Sequence, residues 1–258
     1  MASALFNLEG KTAVVIGGSS GIGRTLALGL ADAGADVVAS ARRTGQVEET
    51  AGEIESRGRK TLRLPTDVHE RSSIVALRDA VIARFGKVDI LVNAAGITKK
   101  APTVNFKEED WLAILDTNLT GTLRGCQIFG EHMLQRQSGR IINIASLASQ
   151  VSLFQVAAYS ASKAGVASLT KSLAVEWSRH GVLVNAILPG VFRTELNAAL
   201  LDGTERGREF LMRTPMGRFG KTEELVGAAV FLASDASTYV AGQLLAVDGG
   251  MLASGVNQ

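Results

Sequence analysis

The chain has 258 residues, of which 46% are hydrophobic and 20% charged, with 28 glycines and 4 prolines. That composition supports a large buried core with many tight turns, and it excludes collagen-like and disordered classes. Its 27 basic and 25 acidic residues leave a net charge of +2 dispersed along the chain, which argues against a nucleic-acid surface.

Other global features narrow the class. The single cysteine, Cys126, forms no intrachain disulfide, reads as a small buried core residue, and fits a reducing cytoplasm. Met1 to Asn7 carries no secretory pattern, and no apolar run approaches the ~20 residues of a membrane span. His69, His132 and His180 are far apart, show no metal-ligand spacing, and read as surface or helix-end residues.

In chain order, Lys11–Ile16 reads as a buried strand. A helix follows over Ile22–Ala33, then a strand over Asp36–Ala41 and a polar helix over Thr44–Arg57. Thr61–Pro65 reads as a short strand, Glu70–Phe85 as a helix ended by Gly86, and Val88–Val92 as a strand. Two consecutive helices fill Glu108–Gln135. Strand Arg140–Ala145, long helix Ala157–His180, strand Val182–Leu188, helix Thr222–Ala233 and strand Gln243–Val247 complete the series. The strands are continuous apolar runs, as expected of strands buried on both faces. The expectation is one doubly wound α/β (Rossmann) domain over residues 1–258, with a seven-stranded parallel sheet flanked by helices. The charged, weakly periodic stretch 191–220 follows a strand end, where ligands bind in such sheets, and is expected to form a substrate lid.

The first strand runs into Gly17-Gly18-Ser19-Ser20-Gly21-Ile22-Gly23, where a helix begins. Glycines let the backbone approach a pyrophosphate, and the helix start offers free N–H groups to it. The second strand ends Ala39-Ser40-Ala41-Arg42-Arg43. An NAD-preferring site usually has a carboxylate there. Arginines instead suit a 2′-phosphate, so the expected cofactor is NADP(H). Asp67-Val68 is placed to meet the adenine edge. Asn93-Ala94-Ala95-Gly96 would let the cofactor lie against the backbone.

Ser146 follows the fifth expected strand, and Tyr159 and Lys163 lie four apart on one helix face. A tyrosine is a poor base at neutral pH, and a neighbouring ammonium favours its phenolate. Tyr159 is thus the candidate general acid/base, and Ser146 the candidate holder of a carbonyl oxygen.

The glycine turn, Asn93-Ala94-Ala95-Gly96, Asn118, Ser146, Tyr159-Ser160-Ala161-Ser162-Lys163, Asn185 through Pro189-Gly190 to Thr194, and Asp248-Gly249-Gly250 occur in order. Together they resemble the short-chain dehydrogenase/reductase family over nearly the whole chain. The resemblance implies a catalytic tetrad of Asn118, Ser146, Tyr159 and Lys163. In it Lys163 also holds the nicotinamide ribose, and Asn118 kinks its helix and holds a water linking Lys163 to solvent. It implies that Pro189, Gly190, Val191 and Thr194 lie in a stretch wrapping the nicotinamide amide. Two departures stand out: Ile16 where a threonine is common, and Ala94 where a second asparagine is usual.

Within the family, Thr98-Lys99-Lys100-Ala101-Pro102, Ala174-Val175-Glu176-Trp177 and Val247-Asp248-Gly249-Gly250-Met251-Leu252 resemble gluconate 5-dehydrogenases. The 3-oxoacyl-carrier-protein reductases are the alternative, and the apolar Val151, Leu153, Phe154 and Val156 would suit a hydrophobic ketone. Lys99, Lys100 and Arg193 are candidate partners for a substrate carboxylate. The expected partner is therefore a small carbonyl or alcohol, with neither nucleic acid nor membrane. The small and apolar residues around Ala157–His180 require burial in the core or against another subunit, and the resemblance implies a homotetramer, with the tail Met251–Gln258 as a second contact. An NADP-binding regulator that catalyses nothing is the non-enzymatic alternative, against which the complete Ser146, Tyr159 and Lys163 set stands.

Overall fold

The structure is a computed structural model and describes residues 2–194 and 197–255. The elements run α1 (Ala2–Leu5), β1 (Thr12–Ile16), α2 (Gly21–Asp32), β2 (Asp36–Ser40), α3 (Thr44–Ser56), α4 (Arg71–Phe85) and β3 (Ile90–Asn93). They continue α5 (Glu108–Leu115), α6 (Gly121–Gln135), β4 (Gly139–Ile144), α7 (Ala157–Trp177), β5 (Val182–Pro189), α8 (Ala198–Leu201), α9 (Glu205–Arg213), α10 (Val226–Ala233) and β6 (Leu244–Val247).

The strands form one parallel sheet in the order β2-β1-β3-β4-β5-β6. Alternate side chains of β1 serve opposite faces. Ala13 and Val15 join Leu26, Leu30, Ile54, Ala229 and Leu232 from α2, α3 and α10. Val14 and Ile16 join Leu77, Val81, Phe129, Met133 and Leu173 from α4, α6 and α7. Both faces are covered, so every residue of β1 is buried.

The expected seventh strand is absent: the sheet has six, and Thr61–Pro65 runs beside the free edge of β2 without joining it. Val37 N donates to Lys60 O and Thr66 N to Ala41 O, each at 3.1 Å, so the segment is tied at its two ends. Between them the ladder fails. Pro65 has no N–H, and the Ser40 hydroxyl takes up Leu64 O.

The order reverses at β1, whose neighbours β2 and β3 lead to opposite ends of the sheet. This reversal opens a crevice at the carboxyl ends of β1 and β3, the ligand position of such sheets. Cys126 is fully buried beneath it, and burial pushes its thiol up to about 12. Among the described residues no helix is long and apolar enough to cross a membrane.

Candidate active site

The β1–α2 turn fills the crevice mouth. Gly17 has φ +83°, and a Cβ there would collide with the Ala95 amide nitrogen. A Cβ at Gly23 would collide with the Gly17 carbonyl, so helix and turn meet at backbone contact. Ser40 O accepts from Gly17 N at 2.7 Å and Gly18 N at 3.1 Å. The Ser40 side chain is fully buried and bonded to Leu64 and Thr66, so it braces the turn and is not presented to a ligand. Ile16, in place of the commoner threonine, packs in the core and leaves the turn intact.

The Ser19 hydroxyl is buried and has no hydrogen-bond partner. A buried polar group without a partner is disfavoured by roughly 1–3 kcal/mol, so the turn is built for an added acceptor or donor. Arg42 and Arg43 are exposed after β2. Arg43 Nη2 donates to Ser20 Oγ at 3.0 Å, and neither arginine pairs with a carboxylate among the described residues. This is the chemistry of a dinucleotide cradle with a phosphate at the adenosine ribose. Asp67 lies beyond the same edge, where its Oδ1 accepts from His69 N at 3.0 Å.

At the other end of the crevice the structure brings together all four expected chemical residues. Ser146 directly follows the residue after β4, and Tyr159 and Lys163 occupy the first turns of α7. Lys163 Nζ donates to Ile144 O at 2.7 Å and lies 5.7 Å from the Tyr159 ring centre. Burial pulls Lys163 down to about 8. Burial also pushes the half-buried Tyr159 above its ordinary value, while a hydrogen bond with Ser146 pulls the other way. The direction is thus set by desolvation, opposite to the lowering expected from Lys163.

Asn118 sits in a π turn, Asp116–Thr120, that joins α5 and α6 in one bent rod. Asn118 Oδ1 accepts from Ile97 N at 2.8 Å. Its Nδ2 donates to Ile97 O at 3.0 Å and to Ser162 Oγ at 2.9 Å. A Cβ on Gly96 would stand 3.3 Å from Asn118 Oδ1 and 3.5 Å from Lys163 Nζ, so Gly96 is small where the three residues converge.

Asn93 is buried. Its Nδ2 donates to Asn143 Oδ1 at 2.9 Å, which makes it a sheet brace, and Ala94 and Ala95 face the Gly17 and Gly23 backbone. Asn185 fixes the turn before β6: it accepts from Gln243 N and donates to Val240 O, each at 2.9 Å.

The stretch 191–220, expected as a lid, follows Pro189 and Gly190, the latter pressed against Asp248, and is pinned by a bridge between Phe192 and Gly220. Thr194 N donates to Asn197 Oδ1 at 2.7 Å, and Gly220 N to Val191 O at 3.0 Å. Residues 195–196 of this stretch and 256–258 of the tail lie outside the described residues. A cleft of about 1510 Å³ opens between Val151–Phe154, α9 and the turn at Met251. Ser146, Tyr159 and Lys163 are not among its walls, so the cleft is not formed by the chemical residues.

Of the three candidate carboxylate partners, Lys99 pairs with Asp110, and Arg193 holds Asp202 with bonds of 2.6 to 3.0 Å. Only Lys100 lines the cleft. Arg206, which sequence reasoning missed, joins it there from α9, stacked 5.3 Å over Phe210. Nothing in the local pattern marked Arg206, because its position depends on where α9 packs in the fold. His132 lies in the last turn of α6 and His180 is exposed at a helix end, as expected. His132 Nε2 accepts from Val88 N at 3.3 Å, and His69 is bonded through its ring, described below.

The chain belongs to the short-chain dehydrogenase/reductase family. The family model described as enoyl-(acyl carrier protein) reductase matches residues 16–252. Gluconate 5-dehydrogenase of Gluconobacter oxydans is 41% identical over 250 residues, covering 97% of this chain and 98% of that protein. The 2-dehydro-3-deoxy-D-gluconate 5-dehydrogenase of Bacillus subtilis is 44% identical over 249 residues, covering 96% of each. Among solved structures, a gluconate 5-dehydrogenase from Burkholderia cenocepacia in complex with NADP and tartrate superposes with a TM-score of 0.95 at 41% identity, covering 99% of this chain and 100% of that one.

Proposed function

We propose that this chain is an NADP(H)-dependent oxidoreductase that interconverts a ketone and a secondary alcohol on a sugar acid of the gluconate and 5-ketogluconate class. The observation that carries this reading is the convergence of Ser146, Tyr159 and Lys163 beside Gly96 at the crevice. The similar proteins support the substrate class by name, and one was solved with NADP and a hydroxy acid.

The residues present fit the cofactor. Gly17, Ser19, Ser20, Gly21, Ile22 and Gly23 would hold the pyrophosphate, with the orphaned Ser19 hydroxyl as a ready partner. Arg42 and Arg43 would take the 2′-phosphate, Asp67 and Val68 the adenine edge, and Ala94, Ala95 and Gly96 the floor. Lys163 would reach the nicotinamide ribose, and Pro189, Gly190, Val191 and Thr194 the amide. When bound, the nicotinamide supplies or accepts the hydride.

Ser146 holds the substrate oxygen in place. Tyr159, kept protonated at neutral pH by burial, donates its phenolic proton to that oxygen in reduction and removes the alcohol proton in oxidation. The Lys163 ammonium, aimed by Ile144 O, stabilises the phenolate left behind. Asn118 locks Ile97 and α7 together, and its main-chain carbonyl, which accepts from Thr122 Oγ1, is where a water leading to solvent would sit. The stretch 191–220 acts as lid, and Lys100 with Arg206 would receive the substrate carboxylate.

The apolar wall of the cleft, Val151, Leu153, Phe154 and Phe210, favours a second reading as a 3-oxoacyl reductase. One assay separates the two. NADPH and NADH absorbance is followed with 5-ketogluconate, an acetoacetyl thioester and an aryl ketone, with Tyr159→Phe alongside. Turnover of the sugar acid with NADPH, abolished in the variant, supports the reading. Turnover of the thioester alone replaces the substrate class, and preference for NADH removes the role given to Arg42 and Arg43.

The face of α7 carrying Ala161, Ala164, Ser168 and Val175 is exposed. It supports assembly of a homotetramer through this helix, which light scattering on the purified chain tests directly.

A further inference from the structure

The loop that faces the adenine end and the turn that carries Asn118 meet on a single carboxylate. Asp116 Oδ2 lies 2.6 Å from His69 Nδ1, and Asp116 Oδ1 accepts from Arg124 Nη1 at 2.9 Å. The same Arg124 nitrogen donates to Val68 O at 2.9 Å. His69 Nε2 lies 3.1 Å from Thr117 Oγ1, whose own hydrogen goes to Ala113 O at 2.9 Å. Both ring nitrogens and both carboxylate oxygens are therefore used. Val68 also packs on Gly121, where a Cβ would come within 3.0 Å of its side chain.

These contacts tie residues 68 and 69 to a turn whose Asn118, two residues beyond Asp116, holds Ile97 beside the chemical residues. The side chains of His69, Asp116 and Arg124 are only 32%, 36% and 22% exposed, so water screens the cluster less than a free surface pair. His69, Asp116 and Arg124 lie outside the glycine turn, the Asn93–Gly96 stretch and the Asn118, Ser146, Tyr159 and Lys163 set, and nothing in the mechanism uses them.

We propose that Asp116 is a positioning residue. Through His69 and Arg124 it sets the adenine-facing loop, and through the π turn it sets Asn118, so one carboxylate links cofactor affinity to the geometry of the chemical end. This rests on the NADP(H) reading of the crevice. The loop has no strand neighbour of its own at Val68–His69; Asp67 is tied separately, by Ser73 Oγ to its N–H, while the His69 ring directly and the Val68 carbonyl through Arg124 meet at Asp116. Removal frees the loop, and the binding energy of the cofactor is then spent partly on reordering it.

The test uses the purified full chain. NADPH dissociation constants come from fluorescence titration, and kcat and KM from reduction of 5-ketogluconate. Asp116→Ala is expected to weaken NADPH about tenfold and lower kcat several-fold, with the KM for 5-ketogluconate little changed. Asp116→Asn, which keeps an acceptor for Arg124 and loses the charge, should recover part of the affinity. Adding His69→Ala to Asp116→Ala should weaken binding no further, because the two act as one unit. Wild-type NADPH affinity in Asp116→Ala, even with a lowered Tm, would overturn the proposal, since a purely structural role moves only stability. Independent, additive losses in the double variant would overturn it too. Failure of the unmodified chain to bind NADPH would instead remove the cofactor reading, and the proposal with it.

Discussion

Replacing Lys163 by methionine should stabilise the fold at neutral pH and lose that advantage in alkali. Burial holds this lysine at about 8, against 10.5 for an exposed one. At about 1.36 kcal/mol per unit, keeping it charged inside the protein costs about 3 kcal/mol. Below pH 8 the group is charged in both folded and unfolded chains, so the wild type bears the whole cost. Between pH 8 and 10.5 the unfolded chain binds more protons than the folded one, so wild-type stability from this group rises with pH; above 10.5 the cost is gone. A methionine of similar length carries no such dependence, but it forfeits the bond to Ile144 O, worth about 1 kcal/mol. The variant should therefore be more stable by about 2 kcal/mol at pH 7 and less stable by about 1 kcal/mol near pH 10.5. Urea unfolding of both proteins without cofactor, at intervals across that range, measures the difference directly, and the contributions of other lysines cancel. A difference that stays constant with pH would refute the reasoning, because it would mean that Lys163 is hydrated in the folded chain.

Three further outcomes follow from the site. Arg42→Ala with Arg43→Ala should raise the KM for NADPH roughly tenfold or more while leaving NADH little changed, since each charge-assisted bond is worth about 1.5–3 kcal/mol; initial rates with both cofactors decide it. Because burial raises Tyr159, reduction should hold across neutral pH, whereas oxidation, which needs the phenolate, should climb into the alkaline range; pH profiles of kcat/KM in each direction, flat for oxidation, would contradict this. Charge reversal at Lys100 should raise the KM for an acidic substrate, whereas reversal at Lys99 or Arg193, both already paired with aspartates, should chiefly lower the Tm; equal KM effects at all three would show that the cleft is not where the carboxylate binds.

The dinucleotide turn was legible because its demands are local: residues in a seven-residue stretch must be glycine for the backbone to come close, as Gly17 and Gly23 show. Tyr159 and Lys163 were legible for a similar reason, since four residues on a helix fix their relation. What escaped the sequence was set by contacts between distant segments. Thr61–Pro65 has the apolar content of a strand, yet a proline and the Ser40 hydroxyl deny it a ladder. The direction of the Tyr159 shift depended on how deeply the pair is buried, which no spacing states. His69 and Asp116 lie 47 residues apart and share no periodic pattern. Small and apolar residues lie nearly all round α7, yet its outer face carries exposed Lys171, Ser172 and Glu176 toward its end.

The failed strand also bears on where the sheet could grow. A parallel sheet with two open borders could extend in either direction by recruiting a strand from another molecule. At β2 the segment 60–66 lies along that border, fastened at Val37 and Thr66, with a proline among its residues that offers no donor to a newcomer. Growth of the sheet is thereby confined to the β6 border, where Leu244, Leu245 and Val247 are only half-buried. A non-pairing neighbour thus acts as a guard, leaving the protein with one polymerising direction to control in place of two.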